Sequence, residues 1–333
     1  MSTVSSAGLV SVIIPSWNRA EMLQEALRSV QRQSWPKVQI IVVDDGSTDD
    51  TAARLAGEAG VLYIFQEHRG QAAARNLGLS RAQGEYIATL DSDDLWRRTF
   101  LERSVEVLEG LQADLVFSNW THQRLDGCLE LSSWELSGRW KSYAGASAGD
   151  WHSVDARQAR RLFLEACPCP SSGLLFRREA LVGRWNEEMH LYDDWCLQLD
   201  CVIRRPSRIA FTMRPLWIKR ASAQSMTEGP DLRDKAAALM TLDADRMAQR
   251  FQGQLSRQEM RLLGRNKHGV NLSLARRLLL RPDHYREGLR LLAGTFRRDP
   301  LYSLHLAQMF LGWRLRRWLA SAACSVRDQA LPD

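Results

Sequence analysis

The chain has no apolar run of about 18 residues, the length that a membrane-spanning helix needs. Residues 1–9 lack the basic start and apolar centre of a secretion signal, so we expect none. Its six cysteines are scattered without the spacing of a zinc site or a disulfide framework, which predicts reduced thiols in a cytoplasmic protein. The remaining composition, 45% hydrophobic and 25% charged, is typical of a globular protein with a sizeable core.

Charge is distributed unevenly along the chain. Residues 235–333 hold 18 basic and 8 acidic side chains, whereas the first 234 residues hold 27 basic and 31 acidic ones. The arginines of residues 310–319 alternate with leucines, Trp313 and Trp318, which predicts a basic amphipathic helix. Charge by itself also attracts nucleic acid, but no nucleic-acid-binding module accompanies it, so we expect no such partner.

Two interpretations of this basic C-terminal region stay open. In the first, residues 300–320 lie on an anionic membrane surface, and the protein is peripheral on the inner face of the membrane. In the second, an arginine-covered helix packs on the rest of the protein and its charges are simply solvated.

Short apolar runs alternate with helical patterns through the first 110 residues. Strands are predicted at Val10–Pro15, Gln39–Val43, Val61–Phe65 and Tyr86–Leu90, and helices at Ala20–Ser34, Thr51–Glu58, Gln71–Ala82 and Thr99–Leu108. Continuous apolar strands that alternate with helices are typical of an α/β protein with a mostly parallel open sheet flanked by helices. Residues 127–149 predict a loop, and the pattern becomes helical from Asp231 onward, which predicts a helical C-terminal extension.

Acidic clusters follow two of the predicted strands. Asp44-Asp45-Gly46-Ser47 comes after the second strand, and Asp91-Ser92-Asp93-Asp94 comes after the fourth. Open α/β sheets bind their ligands at this end of the strands. Three neighbouring carboxylates repel each other unless a cation lies among them, and Mg²⁺ or Mn²⁺ suits such oxygen ligands. The alternative for each cluster is an acidic turn that caps the next helix.

Four segments carry a more specific signal because they occur in order and at close spacing. They are VSVIIPSWNR (Val10–Arg19), IIVVDDGSTDDT (Ile40–Thr51), GQAAARNLGL (Gly70–Leu79) and GEYIATLDSDD (Gly84–Asp94). Together they resemble the donor half of glycosyltransferase family 2, a group of inverting sugar transferases with the GT-A fold. The resemblance implies a nucleotide-sugar donor, a divalent cation and a saccharide or lipid-linked acceptor.

The resemblance also implies roles for individual donor-side residues. Asp45 corresponds to a carboxylate that hydrogen-bonds the uracil ring, and Trp17 to an aromatic position beside the base. Asp93, with Asp91, corresponds to the ligands of Mn²⁺ or Mg²⁺. The complete set of implied donor-binding residues is Pro15, Trp17, Asp45, Arg75, Asn76, Asp91 and Ser92.

The acceptor half resembles the family in the segments SSGLLFRREAL (Ser171–Leu181), GRWNEEM (Gly183–Met189) and LYDDWCLQL (Leu191–Leu199). Asp194 takes the position of the general base by this resemblance, and Asp193 and Trp195 are implied acceptor contacts. The alternatives are that the two acids stabilise the start of a helix through its dipole and that the tryptophan belongs to the core.

One departure concerns a histidine that many family members carry after the last core strand. The comparable stretch, residues 217–227, has none, and Ser222 stands about where it would fall. Lys219 or Arg220 offers a positive charge for the diphosphate instead. None of the seven histidines falls in a motif, so we expect them to be surface or core residues.

The sequence thus predicts a donor half (residues 1–125), an acceptor half (126–230) and a basic helical region (231–333). The predicted activity is inverting transfer from a nucleotide diphosphate sugar, preferably a UDP-sugar although dTDP and GDP stay open, in surface polysaccharide synthesis. One alternative is a catalytically silent relative that binds nucleotide sugar as a scaffold. A nucleotidyltransferase is a second alternative, but residues 16–19 lack the glycine- and lysine-rich phosphate loop that such an enzyme needs.

Overall fold

A computed structural model of the chain describes residues 8–145, 147–221, 230–304 and 308. The described residues group into two compact units. Those of Met1–Trp134 and Arg139–Ser222 form the first unit, and those of Glu135–Gly138 and Ala223–Asp333 form the second. Residues of the predicted donor and acceptor halves therefore share the first unit.

Eleven strands lie within the described residues. They are β1 (Val10–Ser16), β2 (Val38–Asp44), β3 (Val61–Phe65), β4 (Tyr86–Thr89), β5 (Leu95–Trp96), β6 (Leu115–Gln123), β7 (Leu129–Leu131), β8 (Ser147–Ala148), β9 (Trp151–Val154), β10 (Leu174–Arg177) and β11 (Ile209–Arg220). The α-helices of the same residues are α1 (Ala20–Gln31), α2 (Thr51–Leu55), α3 (Gln71–Arg81), α4 (Phe100–Gly110), α5 (Ser133–Ser137), α6 (Ala156–Glu165), α7 (Asp193–Arg204), α8 (Pro230–Arg250), α9 (Arg257–Leu278) and α10 (Tyr285–Arg298).

The strands form one sheet in the order β3-β2-β1-β4-β10-β6-β11-β9-β8, with β5 paired to β11 and β7 to β6. The pairs β2–β3, β1–β2, β1–β4 and β6–β11 are parallel. Strand β10 is antiparallel to both of its neighbours. The remaining pairs, which join β5, β7, β8 and β9 to the sheet, are antiparallel. The described fold is α/β with a mostly parallel central sheet, as the alternating pattern predicts.

Strands β1 and β4 are fully buried, and their sequences are largely apolar on both faces. Every residue of β1 is buried, and helix α3 covers one face of it. Gly78 makes that close approach feasible, since a Cβ atom on this residue would lie 2.4 Å from Cγ2 of Ile13. A larger residue at this position would push α3 off the sheet.

The predicted loop at residues 127–149 is partly wrong. It contains β7, which pairs with β6, and the short helix α5. Segments of three to five residues are too short to show a periodic pattern, and their structure depends on the neighbours that they contact.

The second unit contains α9 and α10, as well as α8 from Pro230 onward, which agrees with the helical pattern predicted after Asp231. A capping box starts α9, because Ser256 accepts from the Glu259 amide while the Glu259 side chain accepts from the Ser256 amide. Among the described residues, no helix combines the length and the apolar character that a membrane crossing requires.

Candidate active site

The carboxyl ends of β1, β2 and β4 meet at one edge of the sheet. Pro15 pairs with Val43 and Ser16 with Asp44, so the predicted nucleotide turn and the first acidic cluster lie side by side. The Asp45 amide donates to the Ser16 carbonyl at 2.8 Å, which extends the pairing by one residue. The topology therefore brings the first and second motifs together.

Asp45 is buried and accepts hydrogen bonds through both carboxylate oxygens. Its Oδ1 accepts from Gln66 Nε2 at 2.6 Å and from the Arg69 amide at 2.8 Å. Its Oδ2 accepts from the Gly70 amide at 2.8 Å and lies 2.9 Å from His68 Nδ1. These four contacts hold the loop of residues 66–70, so a uracil ring can bond Asp45 only if one partner gives way.

Trp17 is 49% exposed and stacks on His68, with ring centroids 4.5 Å apart. His68 belongs to no motif, so the sequence does not assign it to the site. Its position follows from the loop that Asp45 holds, and only the fold reveals it. Two exposed rings beside Asp45 form an aromatic surface at the strand ends.

The second acidic cluster brings three carboxylates into one place. One oxygen atom from each of Asp91, Asp93 and Asp94 lies within 4.8 Å of the others. Arg75 Nη2 donates to Asp91 Oδ1 at 2.7 Å, and Arg19 Nη1 donates to Asp93 Oδ2 at 2.6 Å. Three oxygen donors at this spacing fit a hard divalent cation.

The carboxylate of Asp94 is the most buried of the three. Ser172 Oγ donates to Asp94 Oδ2 at 2.6 Å, and the Arg220 amide donates to Oδ1 at 3.2 Å. Burial raises the pKa of Asp94 to about 7; Asp91 and Asp93 add to the rise, and Lys219 opposes it. Ser92 is buried within the same turn.

Arg75 links the second acidic cluster to the start of α7. The buried guanidinium donates through Nη2 to Asp91 and through Nη1 to Asp193 Oδ2 at 2.5 Å. Although burial opposes it, the negative charge of Asp193 and Asp91 raises the pKa of Arg75. The charge of Arg75 is thus fixed between the predicted donor and acceptor residues.

Asn76 on α3 contacts the segment that precedes α7. Its Nδ2 donates to the Trp185 carbonyl at 2.8 Å and to Glu187 Oε1 at 3.0 Å, and its Oδ1 accepts from the Trp185 amide at 2.9 Å. These bonds fasten α3 to the turn before α7. We call this set of contacts the Asn76 clamp.

Asp194 is half-buried at the start of α7. Its Oδ1 accepts from the Trp195 amide at 2.6 Å, and its Oδ2 accepts from the Ser171 amide at 3.2 Å. Burial and the adjacent charge of Asp193 raise the pKa of Asp194 to about 7, with Arg75 opposing them. A carboxylate that titrates near neutral pH is suited to take a proton from a hydroxyl group.

The two neighbours of Asp194 are less accessible. Asp193 is buried and accepts from Arg75 and from Gln71 Nε2 at 2.8 Å. Trp195 is 0% exposed and donates its indole N–H to the Phe163 carbonyl at 2.7 Å. In this structure Trp195 therefore occupies the core position given above as its alternative and offers no face for stacking on a sugar.

Lys219 and Arg220 on β11 bring positive charge to the acidic cluster. Although burial opposes it, the charges of Asp94 and Asp91 raise the pKa of Lys219. Arg220 Nε donates to the Asp93 carbonyl at 2.6 Å. Ser222, where the family histidine would fall, lies outside the described residues.

Residues 11–182, about half of the chain, match the family model described as Glycosyl transferase family 2. The chain belongs to glycosyltransferase family 2. The strand-end acids, Arg75 and the Asn76 clamp all involve residues of the matched segment, whereas Asp193 and Asp194 follow it.

Named relatives of this family 2 glycosyltransferase domain match parts of the chain. Putative teichuronic acid biosynthesis glycosyltransferase TuaG of Bacillus subtilis is 38% identical over 125 residues, which are 36% of this chain and 49% of TuaG. Glycosyltransferase GlyG of Streptococcus pneumoniae is 33% identical over 161 residues, 43% of this chain and 51% of GlyG. An uncharacterized glycosyltransferase of Rickettsia felis is 38% identical over 120 residues, which are 35% of this chain and 20% of the relative. The matches thus span between about a fifth and half of these relatives.

Solved glycosyltransferases share the fold over most of the chain. S. aureus TarS 1-349 in complex with UDP-GlcNAc aligns with a TM-score of 0.56 and 17% identity, covering 90% of this chain and 83% of TarS 1-349. Mannosyltransferase PcManGT from Pyrobaculum calidifontis, in complex with GDP-Man and Mn²⁺, aligns with a TM-score of 0.57 and 18% identity, covering 96% of this chain and 86% of PcManGT. These alignments confirm the predicted GT-A-type fold.

Proposed function

We propose that this chain is a metal-dependent, inverting glycosyltransferase with a nucleotide diphosphate sugar as donor. The observation that carries the proposal is the turn Ser171–Gly173, which contacts both parts of the site. Ser171 donates to Asp194, and Ser172 donates to Asp94 of the acidic cluster. Two consecutive residues thereby place the candidate base next to the candidate metal ligands.

The proposed reaction is a single displacement. Asp194 accepts the proton of an acceptor hydroxyl while that oxygen forms a bond to the anomeric carbon of the sugar. The bond between this carbon and the diphosphate oxygen breaks on the opposite face, so the configuration inverts and the nucleoside diphosphate leaves. Asp91 and Asp93 would hold Mn²⁺ or Mg²⁺, which when bound neutralises negative charge on the leaving diphosphate.

The donor is proposed to be a UDP-sugar. Asp45 and the exposed Trp17–His68 pair lie at the strand ends where a base would bind, and TarS was solved with UDP-GlcNAc. PcManGT, with the same fold, was solved with GDP-Man, so the fold by itself accommodates more than one nucleotide. Pro15, Arg75, Asn76, Asp91 and Ser92 complete the proposed donor set.

The acceptor is proposed to be a saccharide or a lipid-linked saccharide in surface polysaccharide synthesis. The relative TuaG is named for teichuronic acid biosynthesis, a polymer of this general kind. We further propose that residues 1–125 bind the donor, residues 126–230 the acceptor and residues 231–333 form the basic helical region. Ionised Asp194 and the turn before α7 face this acceptor.

We also propose peripheral attachment to an anionic membrane through the basic C-terminal region. Helix α10 exposes Leu289 beside the exposed side chains of Arg286 and Arg290. Leu280, which precedes the helix in sequence, and Leu301, which follows it, are 79% and 80% exposed. Apolar side chains next to basic ones suit a negatively charged membrane surface. Of residues 300–320, only 300–304 and 308 are among the described residues, so Trp313 and Trp318 lie outside them.

Flotation with liposomes tests the attachment. We expect the full chain to float with anionic vesicles at low salt, to float less as salt rises, and not to float with neutral vesicles. Removal of residues 300–333 should reduce flotation, and unchanged flotation of the truncated chain would refute the proposal for this segment.

Release of nucleoside diphosphate tests the main proposal. Purified chain is incubated with a panel of UDP-, dTDP- and GDP-sugars in chelator-treated buffer, with and without Mn²⁺. We expect Mn²⁺-dependent release of UDP, and a loss of this release in Asp93→Asn at unchanged melting temperature. Binding of a UDP-sugar without any turnover, even with saccharide acceptors added, would favour the catalytically silent scaffold.

A further inference from the structure

The cations at the acidic cluster are held in different ways. Arg75 is almost fully buried between Asp91 and Asp193. Arg220 donates to the Asp93 carbonyl, to the Met22 carbonyl and to Glu25. Both guanidinium groups are thus fixed by several parts of the protein.

Arg19 differs from these two arginines in its position and its exposure. It precedes α1 at the rim of the site, and its side chain is 20% exposed. Its Nη1 donates at 2.6 Å to Oδ2 of Asp93, whose side chain is 17% exposed. The arginine at the rim therefore occupies the carboxylate that the proposed function assigns as the principal metal ligand.

We infer that Arg19 is an exchangeable counter-ion, which holds Asp93 in the metal-free protein and moves to the diphosphate of the donor when a divalent cation takes Asp93. This inference rests on the proposed metal-dependent function. Arg19 is then a positioning residue for Asp93 in one state and a donor-binding residue in the other.

The physical reason is competition for one carboxylate. A guanidinium group and a divalent cation repel each other, so they cannot both bind Asp93 Oδ2 at close range. A nucleoside diphosphate brings the negative charge that the displaced arginine can bind, and guanidinium groups bind phosphate oxygens in pairs. Metal and nucleotide should therefore bind more tightly together than either does alone.

Binding measurements on the full chain test this exchange without any turnover. Mn²⁺ affinity is measured by titration calorimetry in the absence of nucleotide, and UDP affinity is measured at saturating Mn²⁺. We expect Arg19→Gln to tighten Mn²⁺ binding by roughly tenfold, because the competing charge-assisted hydrogen bond is gone. The same variant should weaken UDP binding by roughly tenfold, because the charge that meets the diphosphate is missing.

Two further variants give matched comparisons. Arg28→Gln removes the same charge from the exposed side of α1, the helix that Arg19 precedes, and both affinities should stay close to wild type. Arg19→Lys keeps the charge without the paired donors, so Mn²⁺ affinity should stay near wild type while UDP affinity falls. The lysine variant keeps the inference testable if Arg19→Gln does not fold.

The outcomes separate this inference from the proposed function. Weaker Mn²⁺ binding by Arg19→Gln, or unchanged UDP affinity in both Arg19 variants, would show that no exchange takes place. If the wild-type chain binds neither Mn²⁺ nor UDP, the proposed function itself fails. If it binds both and the Arg19 pattern is absent, only the exchange is refuted.

Discussion

The acidic residues at the two strand ends accept hydrogen bonds from different kinds of donor. After β2, Asp45 accepts from two backbone amides and from the Gln66 side chain, all of the single loop 66–70. After β4, Asp93 accepts from Arg19, a long charged side chain brought from another part of the chain. Backbone amides are fixed partners, whereas an arginine at the rim can exchange its carboxylate for a phosphate. An acidic motif at a strand end is therefore not by itself a ligand site, because the type of partner decides what the carboxylate is free to do.

The same contrast separates Asp193 from Asp194, which are adjacent in sequence. Asp193 is buried against Arg75. Within the described part of the chain, half-buried Asp194 accepts from neutral donors, which are the Ser171 amide and hydroxyl and the Trp195 amide. We therefore expect that removing an acid held by buried protein contacts lowers stability. Removing an acid that is proposed to contact the substrate should lower turnover instead. The predictions below test this division.

The largest expected effect is on turnover in Asp194→Asn. The substitution keeps the shape of the side chain and removes the proton acceptor, so sugar transfer should fall by roughly 10²–10⁴. UDP affinity should stay near wild type, because the proposed function assigns Asp194 to the acceptor and not to the nucleotide. Steady-state transfer rates together with calorimetric UDP binding measure both quantities. Near-normal transfer would place the base at another residue.

The next largest effect is on stability in Asp193→Ala. Removing this carboxylate leaves the buried guanidinium of Arg75 without one of its two acidic partners, and breaking a buried pair costs about 3–5 kcal/mol. Urea unfolding at pH 7.5 measures the change in the free energy of unfolding. A loss of turnover with no loss of stability would instead favour a direct acceptor contact for Asp193.

A smaller loss of stability is expected in Asp45→Ala. The amides of Arg69 and Gly70 lose their acceptor, and an unsatisfied buried donor costs about 1–3 kcal/mol. UDP affinity should fall too, since the loop that carries His68 loosens. Gln66→Ala is the control, because it frees Asp45 Oδ1 of one partner and keeps both amide bonds. If Asp45 binds the base, this control should bind UDP at least as tightly as wild type.

A pH-dependent gain of stability is also expected in Asp194→Asn. The pKa of Asp194 is about 7 in the folded chain, against its usual 3.8, so the folded state holds a proton that the unfolded state has released between these values. Stability therefore falls as pH rises through that window, and the neutral amide escapes this loss. The variant should melt higher than wild type at pH 8 and at about the same temperature at pH 4. If variant and wild type melt at the same temperature at pH 8 as well as at pH 4, the pKa of Asp194 is not raised in the folded chain.

The transfer rate of the wild type should also depend on the ionisation of Asp194, but it should rise with pH where stability falls. Only ionised Asp194 accepts a proton, so the transfer rate at saturating donor should rise as pH increases through about 7 and then level off. A rate profile that is flat from pH 6 to 8 would contradict the assignment.

Much of the donor side was predictable from sequence, because continuous apolar strands ending in acids are local patterns. Val61–Phe65 begins and ends where predicted, and Asp91, Asp93 and Asp94 do come together. The contacts that complete the site were not predictable, since they join residues far apart in the chain. Arg19 meets Asp93 across 74 positions, and Trp17 stacks on His68, whose loop is held by Asp45. Burial of Trp195 likewise depends on α6, which supplies Phe163 as the partner of its indole.

The Asn76 clamp bears on how this enzyme could be recombined with others. One amide side chain on α3 satisfies both the N–H and the C=O of Trp185, so the segment that precedes α7 is matched to a single residue of the donor half. If residues 126–230 were grafted onto residues 1–125 of a different family member, the N–H and C=O of Trp185 would need a side-chain amide at the recipient's counterpart of Asn76. Among recipients that keep the other contacts of this boundary, one with asparagine there should yield more soluble chimera than one with leucine.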